Sequence, residues 1–302
     1  MFRYRSAGTP KSPSGERAIA FFDHIRACNN ADLSRLRPFN AARTRVGWIG
    51  DDFAARLCDW PKVLRVTAQS VELSPELVDC DARSAALAPV LAALAAAGDI
   101  EGWRGEAYAV MANWGDPPLL TMERAACPHF GVRAWGVHLN GYVRRTDGLY
   151  LWVATRARDK PTYPGLLDNM VAGGQPHGIG PLDNMIKECA EEAGIPAAIA
   201  ARLQSVGALS YCHRSADGVK PDQIFCYDLE LPADFTPVNQ DGEIEKFELW
   251  PVQDVAERVR DGFDFKFNCN LVIIDFLIRH GIVTPQNEPG YMALVQGLHR
   301  AG

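Results

Sequence analysis

The sequence predicts an α/β (α+β) fold made of two units. Three observations support this prediction. Runs rich in β-branched and aromatic residues alternate with helical patterns along the chain, an Asp147-Gly148 turn signal separates two such runs in its second half, and a glycine-rich loop leads into a short acidic helix. A chain of 302 residues is also long enough to bury two cores.

Composition and charge place the chain among ordinary globular proteins, with 47% hydrophobic and 23% charged residues. The net charge of −6 argues against nucleic acid as a main partner, since nucleic acids are bound by clustered Lys and Arg. No window approaches the roughly 18 apolar residues of a membrane span, and no apolar signal-peptide core follows the N-terminus. We therefore expect a cytoplasmic protein with no membrane partner. The eight cysteines lack metal-type spacing, which favours buried free thiols.

The first unit is predicted to be a small α+β domain over residues 16–130, after a mobile lead-in over residues 1–15 that is rich in Ser, Pro, Gly and basic residues. Asp51 and Asp52 are suited to cap a helix. Pro89 lies inside a long Ala/Leu-rich pattern and predicts a kink or a broken start there. The predicted elements are a helix over 19–29, a strand over 45–49, a helix over 51–57, a hairpin of 63–66 with 70–73, a helix over 81–98, and two strands around a turn at 116–118.

The second unit is predicted to span residues 131–283. Its predicted elements are a hairpin across Asp147-Gly148, a basic loop over 156–165, a strand over 167–172, the glycine-rich loop, the acidic helix, a strand over 247–250, and helices over 251–260 and 269–280. The tail, residues 284–302, is expected to pack on the first unit or on a second subunit. A homodimer therefore stays open at this point.

The acidic helix carries three carboxylates on one face. Glu188, Glu191 and Glu192 lie at i, i+3 and i+4, which places them within an arc of roughly 100°. Pro181 suits the first helical position and Gly194 suits a left-handed stop. Carboxylates so close repel one another unless a cation lies among them, and a hard divalent ion, Mg²⁺ or Mn²⁺, prefers oxygen ligands. A solvated acidic face without metal is the alternative.

The stretch from residue 173 to residue 195 resembles the Nudix box, the signature of the Nudix hydrolases. The residues that match it in register are Gly173, Glu188, Glu191, Glu192, Gly194 and Ile195. Lys187 stands where the box has Arg, Cys189 replaces an aliphatic residue, and Ile179 replaces the first Glu. Lys187 keeps the positive charge but loses the bidentate geometry of Arg, and Asp183 four residues earlier is expected to pair with it.

The flanking sequences resemble one subfamily, the thiamine-pyrophosphokinase-related Nudix proteins. The matching segments are residues 21–36, 45–49, 158–160, 162–165, 167–175, 221–232, 241–245 and 275–281. The resemblance implies a Nudix α/β/α sandwich with a mixed sheet, preceded by an accessory domain. It also implies metal-dependent hydrolysis of thiamine diphosphate, or its oxidised analogues, to the monophosphate. The alternatives are another nucleoside diphosphate derivative, such as a nucleotide sugar, dinucleotide or CoA, and a degenerate domain that binds without cleaving.

The resemblance also implies roles for individual residues. Glu188, Glu191 and Glu192 would be catalytic and would hold the metal, together with the carbonyl of Gly173 and a distal carboxylate, for which Glu243 is the first candidate and Glu245 the second.

A further set of residues is predicted to act on a small-molecule diphosphate substrate. Cations of the basic loop would grip its phosphates, aromatic rings would stack on its base or thiazolium ring, and the loop histidine is the box residue suited to acid–base work. These candidates are Arg156, Arg158, Lys160, Tyr163, Gln175, His177 and Trp48. For each of them, plain solvent exposure or core packing is the competing interpretation.

Overall fold

The computed structural model describes residues 20–160 and 162–299. The predicted lead-in over residues 1–15 lies outside the described residues. The mixed α/β class that the sequence predicts is observed, with an additional N-terminal unit before the main sheet.

The N-terminal unit is built on a four-stranded sheet with the order β2-β1-β4-β3 and a separate hairpin, β5–β6. Its core is continuous and includes Phe39, Leu87 and Phe130, all fully buried. The elements are α1 (Phe21–Cys28), β1 (Arg37–Ala41), β2 (Thr44–Ile49), α2 (Asp51–Arg56), β3 (Leu64–Val66), β4 (Val71–Leu73), α3 (Cys80–Ala96), β5 (Ala107–Val110), β6 (Leu120–Glu123) and α4 (Cys127–Phe130).

Helix α3 runs without interruption through Pro89, so the expected broken start is not seen. The helix begins at the cap Asp79, whose carboxylate accepts a hydrogen bond from the Ala82 N–H at 2.8 Å. Leu87, Val90, Leu91 and Leu94 bury its inner face. Tertiary packing of that face outweighs the one backbone hydrogen bond that proline removes.

The main sheet has the order β11-β14-β7-β8-β15, with β10 paired to β7 and β9 paired to β8. Strand β14 runs parallel to β7 and the other pairs are antiparallel, so the sheet is mixed. The strands are β7 (Trp135–Arg145), β8 (Gly148–Arg156), β9 (Leu167–Asp168), β10 (Val171–Gly174), β11 (Gln204–Ser210), β12 (His213–Ser215), β13 (Gly218–Lys220), β14 (Gln223–Glu230) and β15 (Ile244–Pro251). Strands β12 and β13 form a separate hairpin.

Helices cover both faces of the main sheet, because its strands alternate side chains between two cores. Val137 and Leu139 of β7 pack with Met185 in one core, whereas Ile224 and Cys226 of β14 pack with the C-terminal helices in the other. The helices are α5 (Pro181–Ala193), α6 (Ala197–Ala200), α7 (Val252–Asp261), α8 (Cys269–Arg279) and α9 (Tyr291–Gly297).

Helix α1 packs in the core of the second unit, although it precedes the first sheet in sequence. Phe21, Ile25 and Cys28 belong to the same buried cluster as α7, α8 and α9. A Cβ on Gly297 of α9 would approach Ile25 to 2.6 Å. Helix α9 of the tail thus lies against α1 within the core of the second unit.

The structure also describes the cysteines and the apolar character of the helices. All eight cysteines are free thiols and most are buried. Among the described helices, none has both the length and the apolar character that crossing a membrane requires. The division of the chain at residues 130 and 283 stays a prediction.

Candidate active site

Helix α5 presents the acidic face that the sequence predicts. It begins at Pro181 and ends at Gly194, which has the left-handed φ of 61° that glycine accommodates without strain. Met185, Cys189 and Ala193 bury the opposite face against the sheet. This packing fixes the direction in which the three glutamates point.

Lys187 lies among the carboxylates of this helix. Its Nζ is 2.7 Å from Glu191 Oε2 and 3.3 Å from Glu188 Oε1. The expected pairing of Lys187 with Asp183 is therefore wrong, because the two glutamates offer a stronger combined attraction. Burial raises the pKa of Glu188 even though Lys187 opposes the shift.

Glu192 is the most buried of the three, at 5% exposure. Its Oε2 accepts a hydrogen bond from the Ala172 N–H at 2.9 Å. Carboxylate oxygens of Glu192, Asp241 and Glu243 lie within 4.8 Å of one another. Burial, together with the neighbouring negative charges, raises the pKa of Glu192 well above its ordinary value. The predicted distal residue Glu243 is thus brought to α5, and Asp241 joins it without having been predicted.

Two predicted cations are paired with carboxylates near this cluster. Lys160 Nζ forms an ion pair with Glu243, and its side chain is largely buried. Burial raises the pKa of Glu243, but Lys160 more than offsets this and the pKa lies below its usual value. Arg158 is 85% exposed and pairs with Glu245 at 3.2 Å, so the second candidate for the distal carboxylate faces solvent with it.

The glycine-rich loop is braced onto the start of α5 by amide side chains. Asn184 Nδ2 donates to Gly174 O at 2.7 Å and to Gln175 Oε1 at 3.2 Å, and Gln175 Nε2 donates to Ile179 O at 2.6 Å. Gln175 was predicted to touch the substrate, but its buried side chain holds the loop instead. His177 is exposed at the tip of this loop. Asn184 therefore holds the glycine-rich loop onto the first turn of α5.

Gly173 lies directly beneath Glu188. A Cβ built on Gly173 would overlap the Glu188 carboxyl group, with Cδ at 2.5 Å. Only glycine therefore allows the carboxylate to reach the strand, which places the predicted carbonyl ligand beside a predicted carboxylate ligand.

Arg156 was predicted to grip phosphate, and the structure directs it elsewhere. Its guanidinium donates to Asp168 Oδ2 at 2.7 Å, to Thr162 O at 2.9 Å and to Tyr163 O at 3.1 Å. The Arg156 side chain is buried and its guanidinium donates to these three oxygens, so it holds the basic loop in place.

Tyr163 and Trp48 both have partners inside the protein. The Tyr163 ring centroid lies 5.5 Å from that of Phe267, and the residue adopts a left-handed φ of 52°. Trp48 lies on β2 under the guanidinium of Arg45, at 4.8 Å from the ring centroid. The Trp48 indole is therefore paired with a cation of its own strand.

A buried polar group lies beneath the basic loop and is already neutralised. His138, Asp168 and Cys269 have potential ligand atoms within 4.8 Å of one another. However, Asp168 accepts from Arg156 and from Cys269 Sγ, and Lys266 Nζ is 3.8 Å away. Burial lowers the pKa of His138 to about 4, so this imidazole is neutral at pH 7. The group stabilises the loop and offers no unpaired charge to a cation.

The carboxylates of Glu192, Asp241 and Glu243 fit a hard divalent cation, whereas Glu188 and Glu191 of the same helix are paired with Lys187. All donor atoms of the first three carboxylates are oxygens. The buried Glu192 has other negatively charged carboxylates on two sides. Mg²⁺ and Mn²⁺ are the ions that such a set selects, and they are commonly shared with substrate phosphates. The arrangement can hold a diphosphate beside an activated water.

Comparison with known proteins agrees with this geometry. A family model described as "NUDIX domain" matches residues 136–270, and a "Domain of unknown function (DUF4743)" matches residues 20–134. "Nudix hydrolase 20, chloroplastic" of Arabidopsis thaliana is 43% identical, covering 92% of this chain and 77% of the relative. "Nudix hydrolase 24, chloroplastic" of the same plant is 42% identical with the same coverage.

A solved structure with the same domain is also similar. The NUDIX domain of Shewanella oneidensis NrtR, complexed with ADP ribose, is 15% identical with a TM-score of 0.40, and covers 51% of this chain and 91% of that chain. Nudix hydrolases act on phosphate anhydrides and generally use divalent metals. Both the box on α5 and the two plant relatives lead to one conclusion: this chain belongs to the Nudix hydrolase family.

Proposed function

We propose that this enzyme hydrolyses the diphosphate of thiamine diphosphate, or of its oxidised analogues, to the monophosphate and phosphate. The observation that supports this reaction is that the carboxylates of Glu192, Asp241 and Glu243 lie close together, at the helix that carries the other predicted carboxylates. The substrate rests on the resemblance of the flanking segments to the thiamine-related subfamily.

The proposed roles follow from burial and position. Glu188, Glu191, Glu192 and Glu243, with the carbonyl of Gly173, would hold Mg²⁺ or Mn²⁺. The ion supplies charge neutralisation for the phosphates and a more acidic water. Glu192 is fixed by the Ala172 N–H, so its free oxygen keeps one direction. Asp241 is added to the predicted set on its geometry.

Phosphate release from thiamine diphosphate with Mg²⁺, compared between wild type and Glu192→Gln, tests the proposal. The amide keeps the shape but removes a metal-binding charge, so we expect a loss of about 100-fold or more in kcat. Glu257→Gln on the exposed side of α7 is the matched control and is expected to be unchanged.

Substrate choice is tested in the same assay with ADP-ribose. Turnover of ADP-ribose without turnover of thiamine diphosphate would sink the substrate assignment. Absence of turnover of any diphosphate, with ligand binding intact, would instead favour the degenerate binding domain.

A further inference from the structure

The β5–β6 hairpin of the N-terminal unit lies directly against the glycine strand of the site. The His177 N–H donates to Ala107 O at 2.9 Å, which joins the glycine-rich loop to β5. A Cβ on Gly174 would overlap the Tyr108 hydroxyl and lie 3.3 Å from Arg124 Cζ. The absence of a side chain at Gly174 thus lets two accessory-unit side chains reach the strand.

Arg124, which directly follows β6, has guanidinium donors that are not used in hydrogen bonds within the described residues. Its Nη1 donates to Glu106 Oε2 at 3.0 Å, and the side chain is 42% exposed. Within residues 20–160 and 162–299, the guanidinium makes no other hydrogen bond. The Tyr108 ring backs it, with Cζ 5.7 Å from the ring centroid. Most of a rigid donor fork is therefore free beside the site.

Arg124 also interacts electrostatically with Glu188. Successive residues of a strand face opposite sides, and here Gly173 faces Glu188 while Gly174 faces Arg124. Two glycines in succession leave only backbone between the cation and the carboxylate. The accessory unit in this way places a positive charge across strand β10 from Glu188.

The three predicted cations of the basic loop are otherwise engaged. Arg156 is used by the basic loop, Lys160 is paired with Glu243, and Arg158 faces solvent. A bound diphosphate would approach the negative face of α5 and needs positive charge beyond that of a divalent ion. Arg124 is an arginine near this face with donors to give, and the exposed Arg104 of the same unit interacts electrostatically with Glu243.

We propose that Arg124 binds the diphosphate of the substrate, so that the N-terminal unit completes the active site of the Nudix domain. Tyr108 positions the guanidinium, and Glu106 holds its other edge. The inference rests on the proposed hydrolysis of a diphosphate but does not depend on which group the diphosphate carries.

Three matched variants test this: Arg124→Gln, Glu106→Gln and Arg65→Gln. The first two break the same ion pair, but only the first removes the cation. Arg65 is exposed on β3 of the same unit and controls for net charge. The readouts are the Kd of inorganic pyrophosphate with Mg²⁺, measured by calorimetry, and the KM for thiamine diphosphate.

We expect Arg124→Gln to raise both the Kd and the KM by about tenfold or more, as the loss of a charge-assisted bidentate contact does. Arg65→Gln should stay within about twofold, since it removes no phosphate contact. Glu106→Gln removes a partner that holds the guanidinium but keeps the cation, so it should raise both constants by less than Arg124→Gln does. Arg124→Lys, which keeps the charge but not the fork, should lie between wild type and Arg124→Gln.

Two outcomes would overturn the inference. One is an equal loss of pyrophosphate binding in Arg124→Gln and Glu106→Gln, which would show that the arginine only holds the hairpin. The other is pyrophosphate binding that is absent in wild type or unaffected by Arg124→Gln. Arginine-dependent pyrophosphate binding without turnover of thiamine diphosphate would count against the proposed substrate alone and would support the inference.

Discussion

At the scale of single residues, the charged side chains around the site separate into those that are satisfied by the protein and those that remain available. Arg156 and Asp168 are both buried and bonded to each other at 2.7 Å. Glu192 is buried among carboxylates, and Arg124 is half-exposed with one partner. Arg156 and Asp168 hold the basic loop in place. Glu192 and Arg124 are the residues for which a role in binding or catalysis is proposed.

The buried pair gives a direct prediction for stability. Arg156→Gln leaves the buried Asp168 with Lys266, 3.8 Å away, as its remaining ion-pair partner, so the free energy of unfolding should fall by about 3–5 kcal/mol. Arg158→Gln removes an exposed ion pair two residues away and should change it by less than about 1 kcal/mol. Urea unfolding of both variants checks this, and equal effects would contradict the assigned bracing role.

Asp222 gives a prediction for pH dependence. Loss of hydration raises its pKa to about 6 from an ordinary 3.8, against the opposing effects of Lys220 and the Ala134 N–H. The folded protein therefore keeps this proton while the unfolded chain releases it, so stability falls as pH rises from about 4 to about 6 and then levels off. The full effect is about 3 kcal/mol.

The variant Asp222→Asn should lack this component of the pH dependence. The difference in unfolding free energy between wild type and variant is expected to change between about pH 4 and pH 6 and to be constant above that range. Asp217→Asn, on the exposed tip of the β12–β13 hairpin, is the control. A difference that is flat across the whole range would refute the assignment to Asp222.

At the scale of elements, the site is the meeting of one helix, one glycine strand and one loop. Helix α5 could be predicted because its apolar spacing, its Pro start and its Gly stop are local signals. Glu243 could be predicted only from the family resemblance, because the residues next to it in sequence give no sign that Glu192 lies close in space. Arg124 and Asp241 carried no local signal at all. The side-chain direction of Arg156 depends on burial, which a run of basic residues does not reveal.

The glycine strand gives the prediction at this scale. In Gly174→Ala the methyl group would overlap the Tyr108 hydroxyl, so we expect a loss of about 1–3 kcal/mol in stability and a weakened contact between the two units. Gly180→Ala is the control, because its φ of −72° and its open surroundings accept a methyl group.

Differential scanning calorimetry measures both variants. The double variant Gly174→Ala, Tyr108→Phe removes the overlapping oxygen and should recover part of the loss. If the single variant melts like wild type, the hairpin does not press on β10 in the way described.

At the scale of the whole molecule, the boundary between the two units in the sequence does not coincide with the boundary between their cores. Helix α1 precedes the accessory sheet but contributes Phe21, Ile25 and Cys28 to the core of the Nudix domain. His24 Nε2 lies 2.6 Å from Val259 O, and Cys28 Sγ donates to Phe267 O at 3.3 Å. The accessory sheet is therefore inserted between one helix of the Nudix core and the remainder of that core.

This packing predicts the behaviour of a fragment. A chain of residues 131–302 lacks α1 and would expose the apolar surface that α1 covers, so we expect no cooperative melting transition near that of the full chain. Adding a peptide of residues 18–30 should restore a transition, and the same peptide with Ile25→Asp should not. A fragment that melts like the full protein on its own would contradict the role of α1.

The contact between α1 and α9 joins segments far apart in the chain. Helix α1 packs against α7, α8 and α9, which are made more than 200 residues later. The loop that must close is long, and contacts so distant in sequence slow folding. We therefore expect the apolar face of α1 to stay uncovered until these helices have been synthesised, and the contact between Gly297 and Ile25 to form late in folding.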